Sequence, residues 1–469
     1  MASTQKTSAE LRKQLQDELG GAHGFLGMLF DEGTFAETGA FVKRIPSNLD
    51  AAFGVKNECD FEPVVTGYGS VNGSLVFAFV QDFSKLKGAF SSASARKIVN
   101  LIESGVKAGA PIVCVFNSAG AILTDGVCAL EGYGSVMKAL SDAKGLVPLI
   151  SIVNGVCAAS AATAAAMADF VLATENASIY INPPFILKNR FDDEKAGSSE
   201  AGVKNGLVDV IAADDVSVCA EARKVLNLLP ANAETIPLND TDDNLNRLTP
   251  EISSIVDAGC DMMAIIASVS DEGIFFETGK GFAPELLTGI VQIGGLPVGL
   301  VATQPAVNNG RLTSAAAVKA VKLIDFCGAF DMPILTFVAT DGIDVSLESE
   351  NAPYASALAS LAAAYASHDG AKVTVVLEKA YGQAFTLLGS KSLGADIVYA
   401  LDSAKIGIMP ADTAAQFIGG FDKKAEVAEQ WSSLMSSPLS AAREGAIDDI
   451  IDSCELRQRI ASAFEMLVQ

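Results

Sequence analysis

Short apolar segments alternate with Ala-rich stretches along most of the chain. Residues 112–116 and 149–153 are almost entirely apolar, and each segment is followed by a stretch with the composition of a helix. Strands that are apolar on both faces are typical of parallel sheets, in which crossover helices join successive strands. The pattern therefore predicts an α/β fold, with strands at these two segments and helices at 130–143 and 159–167.

The same order of segments occurs twice in the chain. Residues 30–39 are similar to 270–279, and residues 111–116 are similar to 333–338 at an offset of 222 residues. Repeated similarity in a constant order is typical of a duplicated structural unit. We therefore predict two copies of one fold.

A β-hairpin is predicted near the start of each copy. Asn72-Gly73 and Gly294-Gly295 each separate two apolar runs, and such pairs favour the tight turns of hairpins. The hairpins begin at Gly67 and Gly289, which are also 222 residues apart.

The duplication predicts two domains, 1–246 and 247–469. The border falls in the polar stretch 239–250, where acidic and amide side chains cluster. The second copy is expected to repeat the strands and helices of the first, at residues 334–338, 354–368, 373–377 and 382–388.

Residues 145–173 carry almost no charge and are numerous enough to span a bilayer. Pro148, Asn154 and Gly155 interrupt this segment, and small residues dominate its second half. A buried strand followed by a buried helix fits the composition better, so no transmembrane span is predicted.

Composition limits the classes of partner and the compartment. The net charge is −23 and no basic stripe is visible, so a nucleic-acid-binding protein is not expected. An anionic small ligand is compatible with this charge, because it needs only a few local cations or helix N-termini. The eight cysteines form no Cys-x-x-Cys pair, and residues 1–20 lack the pattern of a signal peptide. These features predict a reducing, cytoplasmic compartment and no zinc ribbon.

The candidate chemistry lies in the turns that lead from a strand into a helix. These turns are residues 117–121 and 155–160 in the first copy, and 340–343 and 380–384 in the second. The first backbone N–H groups of a helix have no intrahelical acceptor and can bind an anion or a developing oxyanion. Each copy is therefore expected to direct two sets of amides at one point, which suits the enolate of a thioester.

Side chains are weaker candidates for acid–base chemistry. The two histidines, His23 and His368, lie outside the turns, and His368 is expected to be a C-terminal partner of a helix dipole. Ser118 and Ser160 could act as nucleophiles, but no Gly-x-Ser-x-Gly elbow or nearby histidine supports a triad. Ser160 is therefore interpreted as a helix N-terminal residue.

A set of ordered motifs extends from Phe30 to the C-terminus. In the first copy they are Val64-Val65-Thr66-Gly67, Gln81-Asp82-Phe83, residues 129–134, and Gly155 with Cys157-Ala158. In the second copy they are Gln304-Pro305, residues 317–320, 325–330, 379–382, Ser390-Lys391 and 441–443. On these motifs, the chain resembles the carboxyltransferase subunits of biotin-dependent acyl-CoA carboxylases and decarboxylases over nearly its whole length.

The resemblance implies a crotonase-like fold in each half, and so a tandem duplication of that fold. It also implies that a carboxyl group moves between biotin and the carbon next to the thioester carbonyl of a short acyl-CoA, with backbone amides holding both enolates. No metal is implied. The catalytic residues expected from the matching turns are Ala119, Gly120, Ala159, Ser160, Gly342, Ile343, Gly382 and Gln383.

The resemblance implies that biotin arrives on another protein. The chain contains no biotinylated-lysine segment and no ATP-grasp pattern. The expected partners are a biotin carrier protein and either a biotin carboxylase or a membrane decarboxylase subunit. The family also implies a homo- or hetero-oligomer with dimers inside a hexamer, in which the first half of one protomer and the second half of another share an active site.

Coenzyme A is expected to bind the first half, with its phosphates near a local basic cluster. The cluster consists of Lys85, Lys87, Arg96 and Lys97, and Ser118 at the neighbouring turn is assigned to the same ligand. The alternative interpretation of the four cations is solubilising surface charge.

The turns depart from the family at three places. Ala119-Gly120, Ala159-Ser160 and Gly382-Gln383 stand where the family has Gly-Gly, and Ile122 stands where it has arginine. A side chain does not remove its backbone N–H, but it narrows the space for a thioester. Two other hypotheses stay open: a non-catalytic paralogue that assembles with an active subunit, and a simple crotonase hydratase or isomerase, although that group usually lacks the duplication.

Overall fold

The structure, a computed structural model, describes residues 6–43, 46, 48–54, 61–191, 195–235, 238–418 and 424–468. Contacts divide the chain into two compact units, Met1–Thr235 (unit 1) and Ile236–Gln469 (unit 2). The domain border between residues 246 and 247 stays a prediction. Just before that border, the N–H of Asn239 donates to the carbonyl of Gly295 in unit 2 at 2.8 Å.

Unit 1 is built on one mixed sheet with helices against it. Its strands are β1 (Ala36–Thr38), β2 (Val64–Val71), β3 (Ser74–Gln81), β4 (Ile112–Ser118), β5 (Leu149–Ala158), β6 (Phe170–Thr174), β7 (Ser178–Tyr180) and β8 (Val210–Ala212). Its helices are α1 (Ser8–Glu18), α2 (Gly20–Leu29), α3 (Asn48–Phe53), α4 (Ser92–Ala108), α5 (Val127–Ala143), α6 (Ser160–Ala165), α7 (Pro184–Phe191), α8 (Ser199–Lys204) and α9 (Asp215–Leu228).

Unit 2 repeats this series. Its strands are β9 (Phe275–Thr278), β10 (Leu286–Ile293), β11 (Leu296–Thr303), β12 (Ile334–Thr340), β13 (Lys372–Tyr381), β14 (Ile397–Leu401), β15 (Lys405–Gly407) and β16 (Asp449–Ile451). Its helices are α10 (Glu251–Asp257), α11 (Met262–Val269), α12 (Ser314–Ala329), α13 (Leu347–Asn351), α14 (Tyr354–Ser367), α15 (Gly382–Leu387), α16 (Ala411–Ile418), α17 (Lys424–Met435), α18 (Pro438–Arg443) and α19 (Leu456–Leu467).

The two sheets have the same topology. The strand order in unit 1 is β1-β2-β3-β4-β5-β6-β8 with β7 beside β5, and in unit 2 it is β9-β10-β11-β12-β13-β14-β16 with β15 beside β13. The first three strands of each sheet are antiparallel, and the remaining pairs are parallel. The predicted duplication of an α/β fold is therefore confirmed.

An aspartate closes the hairpin turn in each unit. Asp31 accepts hydrogen bonds from the N–H groups of Asn72 at 3.2 Å and Gly73 at 3.0 Å, and it pairs with Arg223 at 2.7 Å. Because the carboxylate satisfies both amides of the turn, it fixes the register of β2 against β3. The same three parts recur in unit 2 as Asp271, the Gly294-Gly295 turn and Arg457.

The elements predicted from apolar runs are present, and the strands extend further than predicted. The strand predicted at 112–116 continues to Ser118, and the strand predicted at 149–153 continues to Ala158. Polar side chains at Asn117 and Asn154 interrupt the apolar pattern, but backbone pairing between β4 and β5 carries the strands past them. The helix predicted at 159–167 begins one residue later, since Ala159 has a left-handed φ of 53°.

The uncharged segment 145–173 folds as predicted, into a strand followed by a helix. It contains β5, α6 and the first part of β6. Within the described part of the chain, no helix combines the length and the apolar character needed to cross a membrane.

Candidate active site

In each unit the two candidate turns follow neighbouring parallel strands. Ser118 at the end of β4 pairs with Cys157 in β5, and Thr340 at the end of β12 pairs with Ala380 in β13. The carboxyl ends of parallel strands meet at one edge of a sheet, which is the usual place for ligands in α/β folds. The topology therefore brings the two predicted turns of each unit together.

Two of the predicted amides in the first turn of unit 1 are already used inside the protein. The N–H of Ala119 donates to the carbonyl of Lys87 at 3.0 Å, and the N–H of Gly120 donates to the hydroxyl of Ser118 at 3.1 Å. Neither N–H is therefore available to a ligand in this conformation. Ser118 is fully buried, and its hydroxyl accepts this hydrogen bond from within the turn.

The available amide in this turn is the next one, that of Ala121. The carbonyl of Gly120 accepts from the N–H of Phe90, and the N–H of Ile122 donates to the carbonyl of Phe90, both at 2.9 Å. Because successive N–H groups of an extended segment point in opposite directions, the N–H of Ala121 points away from Phe90. Sequence reasoning missed Ala121 as a donor.

The first turn of unit 2 has the same geometry. Leu312 takes the place of Phe90: its N–H donates to the carbonyl of Gly342 and its carbonyl accepts from the N–H of Asp344, both at 3.0 Å. The N–H of Gly342 donates to the hydroxyl of Thr340 at 3.0 Å. The amide left pointing away is that of Ile343, which is 222 residues from Ala121. The repeat offset could have identified Ala121 from the sequence.

The second turns supply the other amides. The N–H of Ala159 donates to the carbonyl of Tyr180 at 2.8 Å, so the first amide without an intrahelical acceptor belongs to Ser160, which begins α6. In unit 2, α15 begins at Gly382, and Gln383 is its second residue. The interpretation of Ser160 as a helix N-terminal residue agrees with this position.

In unit 2 the two turns line one cavity. A cavity of about 520 Å³ is bordered by Ile343 from the first turn and Gln383 from the second. Its remaining wall comes from α13, α14, α15 and the residues between the first two: Glu350, Ala352, Pro353, Tyr354, Ala355, Ser356, Leu358, Ala359, Ala362 and Leu387. The cavity therefore combines an apolar wall with a few polar groups, as small-molecule sites do.

The two turns of unit 1 are joined by a neutral hydrogen bond. The side-chain oxygen of Asn117 accepts from the N–H of Val156 at 3.1 Å. The neighbouring Gly155 lies so close that an added Cβ would stand 2.3 Å from the same oxygen. Asn117 thus fixes the spacing between the turns, and a side chain at position 155 would displace the Asn117 side chain.

The two turns of unit 2 are joined by charges. The ammonium group of Lys379 lies 3.6 Å from Asp341 and 3.1 Å from Glu378. Burial lowers the pKa of Lys379, but the hydrogen bond and charge of Glu378, together with Asp341, outweigh burial and raise the pKa above its usual value. The corresponding residues of unit 1, Ala119 and Val156, are uncharged, so this ion pair is particular to unit 2.

The structure divides the predicted basic cluster. Lys87 and Arg96 are exposed and Lys85 is half-buried. Because the carbonyl of Lys87 accepts from Ala119, this loop lies directly beside the first turn. Lys97 does not belong to the same surface: its ammonium group is buried and donates to the carbonyl of Val64, and burial lowers its pKa to about 8. We therefore exclude Lys97 from the candidate phosphate site.

Neither histidine lies at the turns. His23 lies 3.1 Å from Glu37, outside the site. His368 ends α14 but is only 3% exposed, and burial lowers its pKa to about 4. Burial disfavours the charged form of the imidazole, and the charged form is the one that would stabilise the C-terminal end of the helix dipole.

Comparison with known proteins gives a consistent result. The family model for the carboxyl transferase domain matches residues 26–469. The chain is 32% identical to the propionyl-CoA carboxylase beta chain of Roseobacter denitrificans, over 94% of this chain and 89% of that protein. It is 33% identical to methylmalonyl-CoA decarboxylase subunit alpha of Propionigenium modestum, with the same coverage.

The fold is also that of a solved relative. A structure of transcarboxylase 12S, described as a hexamer with methylmalonyl-coenzyme A and methylmalonic acid bound, matches with a TM-score of 0.93 and 31% identity. The match covers 100% of this chain and 97% of that one. The expected crotonase-like duplication is therefore confirmed.

Proposed function

The chain belongs to the carboxyl transferase domain family, and on this basis we propose that it transfers a carboxyl group between biotin on a partner protein and the α carbon of a short acyl-CoA. The observation that carries the proposal is the convergence of Ile343 and Gln383, from two separate turns, on one cavity of unit 2. The same two turns recur in unit 1, so the chain has one amide-lined edge for each of the two reactants.

The chemistry needs a stabilised oxyanion rather than an acid–base side chain. When the α carbon of a thioester gains or loses a carboxyl group, negative charge develops on the thioester oxygen. Backbone N–H groups fixed in a turn stabilise such charge, and losing one such donor costs about 2.7–4 kcal/mol of barrier. In unit 1 we assign this role to the amides of Ala121 and Ser160, in place of Ala119, Gly120 and Ala159.

The unit 2 cavity fits the head group of biotin. The ureido ring of biotin is neutral, with one carbonyl acceptor between two N–H groups, and it is fused to an apolar sulfur-containing ring. The cavity offers a matching apolar wall, and Ile343 and Gln383 are among the residues that line it. We therefore propose that unit 2 receives biotin, with Ile343 and Gln383 as donors to the ureido oxygen. When bound, biotin supplies the acceptor or donor of the carboxyl group.

Coenzyme A is proposed to bind unit 1. Lys85, Lys87 and Arg96 are accessible to its phosphates, and the Lys87 carbonyl contact to Ala119 places this loop beside the thioester turn. Ser118 contributes by holding the turn, since its hydroxyl accepts from Gly120.

The partners and the assembly follow from the same proposal. A biotin carrier protein must deliver biotin, and a biotin carboxylase or a membrane decarboxylase subunit would complete the complex. We propose an oligomer of the hexameric kind described for transcarboxylase 12S, in which unit 1 of one protomer works with unit 2 of another. The described cysteines are free thiols, which supports a reducing, cytoplasmic compartment.

The assay that tests the proposal compares wild type with a variant that restores glycine at the turns. Wild type and the triple variant Ala159→Gly, Ser160→Gly, Gln383→Gly are assayed for carboxyl transfer from malonyl- and methylmalonyl-CoA to biotinylated carrier, and from carboxylated carrier to acetyl- and propionyl-CoA. Wild-type turnover that shifts toward bulkier acyl groups in the variant is expected. Turnover in the variant alone would favour the non-catalytic paralogue, and silence of both would contradict carboxyl transfer.

A further inference from the structure

Tyr354 ties together the two segments that fix the Ile343 amide. Its hydroxyl donates to the carbonyl of Leu312 and accepts from the N–H of Asp344 at 2.9 Å. The N–H of Asp344 also donates to that same Leu312 carbonyl at 3.0 Å. These three hydrogen bonds join the Tyr354 hydroxyl, Leu312 and Asp344 beside the isolated bridge between Leu312 and Ile343.

These hydrogen bonds hold Leu312, and Leu312 fixes the direction of the Ile343 N–H. Ile343 lies between Gly342 and Asp344, and both neighbours are bonded to Leu312. As long as these bonds hold, the intervening amide must point away from Leu312. The Ile343 N–H lies in the Gly342–Ile343 peptide, and the carbonyl of that peptide accepts from the N–H of Leu312. If the Tyr354 hydroxyl is lost, Leu312 is held less firmly, and the Gly342–Ile343 peptide gains freedom through it.

Tyr354 is at the same time one of the residues that line the cavity. Tyr354 borders the cavity together with Ile343 and Gln383, although it is only 7% exposed. Burial raises the pKa of its hydroxyl, which therefore remains protonated and able to donate. One residue thus lines the cavity and bonds, through its hydroxyl, the segments beside the donor turn.

Unit 1 supports the corresponding bridge differently. There the N–H of Ile122 donates to the carbonyl of Phe90, and the ring of Phe90 stacks on Tyr133 with 3.8 Å between ring centroids. The hydroxyl of Tyr133 is buried beside Ser118 of the first turn and does not bond the backbone of this bridge. Stacking therefore supports the bridge in unit 1, whereas a hydroxyl supports it in unit 2.

We propose that Tyr354 is a positioning residue for the reaction in unit 2: its hydroxyl holds Leu312, and the N–H of Leu312 in turn keeps the Gly342–Ile343 peptide in the donor orientation. The inference rests on the proposed function for its catalytic consequence, but the structural part stands on the three hydrogen bonds alone. Tyr354 acts through Ile343 and needs no contact with the reacting atoms.

The test uses Tyr354→Phe in the full chain, with Tyr365→Phe as the matched control. Tyr365 lies on the same helix, is fully buried, and bonds its hydroxyl to Thr336 at 2.9 Å, away from the turn. Hydrogen exchange of peptides covering residues 341–346 is measured by mass spectrometry. Carboxyl transfer with biotinylated carrier is measured in parallel, and thermal unfolding shows that both variants are folded.

In Tyr354→Phe, exchange at 341–346 is expected to speed up about fivefold, and kcat to fall about tenfold or more with little change in the KM for carrier biotin. Tyr365→Phe should change neither the exchange at 341–346 nor kcat. Unchanged exchange in Tyr354→Phe, or an equal fall of kcat in both variants, would overturn the proposal. A wild type without any transfer would contradict the proposed function instead, and the exchange comparison would then decide alone whether Tyr354 holds the turn.

Discussion

Ala159 and Gly382 stand at corresponding positions of the two repeats, and both have a left-handed backbone, with φ of 53° and 58°. Glycine adopts this region freely, but an alanine there brings its Cβ close to the backbone, at a cost of about 1–2 kcal/mol. Ala159→Gly is therefore expected to raise the free energy of unfolding by about 1 kcal/mol, seen as a higher unfolding midpoint.

The reverse exchange is the control for this strain. Gly382→Ala should lower the unfolding midpoint, because its Cβ would also stand 3.2 Å from the carbonyl oxygen of Ile408. Opposite shifts in the two variants support stored strain at Ala159. A lower midpoint in Ala159→Gly would show that the methyl group stabilises the turn.

Acyl-CoA affinity tests the basic loop of unit 1. Reversing two exposed charges with Lys87→Glu and Arg96→Glu should weaken binding of propionyl-CoA about tenfold, since each lost phosphate contact contributes a charge-assisted hydrogen bond. Lys107→Glu is the control. Lys107 is exposed on α4, the helix that carries Arg96, and lies about 16 Å from Arg96 along the helix axis. Titration calorimetry gives both affinities, and equal affinity in the double variant and wild type would refute the assignment.

The two histidines are expected to affect stability in opposite directions. Burial lowers the pKa of His368 to about 4, so the unfolded chain binds a proton there that the folded chain does not, and stability falls as pH drops from about 6.5 to about 4. Burial lowers the pKa of His23, but Glu37 raises it by more, so the pKa lies above its usual value. This histidine therefore stabilises the fold at acidic pH, and its contribution is lost as the pH rises.

His368→Gln should therefore make stability less sensitive to acid, and His23→Gln should make it more sensitive. Unfolding midpoints at about pH 7.5 and about pH 5 check both signs. The same slope in His368→Gln and wild type would mean that His368 is protonated in the folded chain, in contrast to its buried site.

Assembly provides a further check. The shared site proposed between protomers requires more than one chain, so light scattering at micromolar concentration should give a mass well above that of one chain. A monodisperse monomer that still transfers carboxyl groups would contradict the shared site while leaving the chemistry intact.

Much of the fold could be predicted from the sequence, because it is encoded in local patterns. The apolar runs gave β4, β5, β12 and β13, and the repeated Asn72-Gly73 and Gly294-Gly295 pairs gave the hairpins. The constant offset predicted the second sheet from the first. Strand ends were underestimated, since pairing with a neighbour extends a strand past a polar residue such as Asn117.

The site was less predictable, because the direction of an amide depends on a distant partner. Ala119 and Gly120 looked available in sequence, but Lys87 and Ser118 accept their N–H groups. The pairing of Phe90 shows that Ala121 is the amide left over, and the offset of 222 residues from Ile343 could also have indicated it. In the same way, Lys97 looked like part of a basic surface until packing placed it against the carbonyl of Val64.

The central claim is tested most directly by following methylmalonyl-CoA with the wild-type chain and a biotinylated carrier protein. We predict that propionyl-CoA forms in proportion to the carrier, and that none forms when the carrier lacks biotin. If malonyl- and methylmalonyl-CoA stay unchanged with biotinylated carrier, and acetyl- and propionyl-CoA stay unchanged with carboxylated carrier, the chain does not transfer carboxyl groups as proposed.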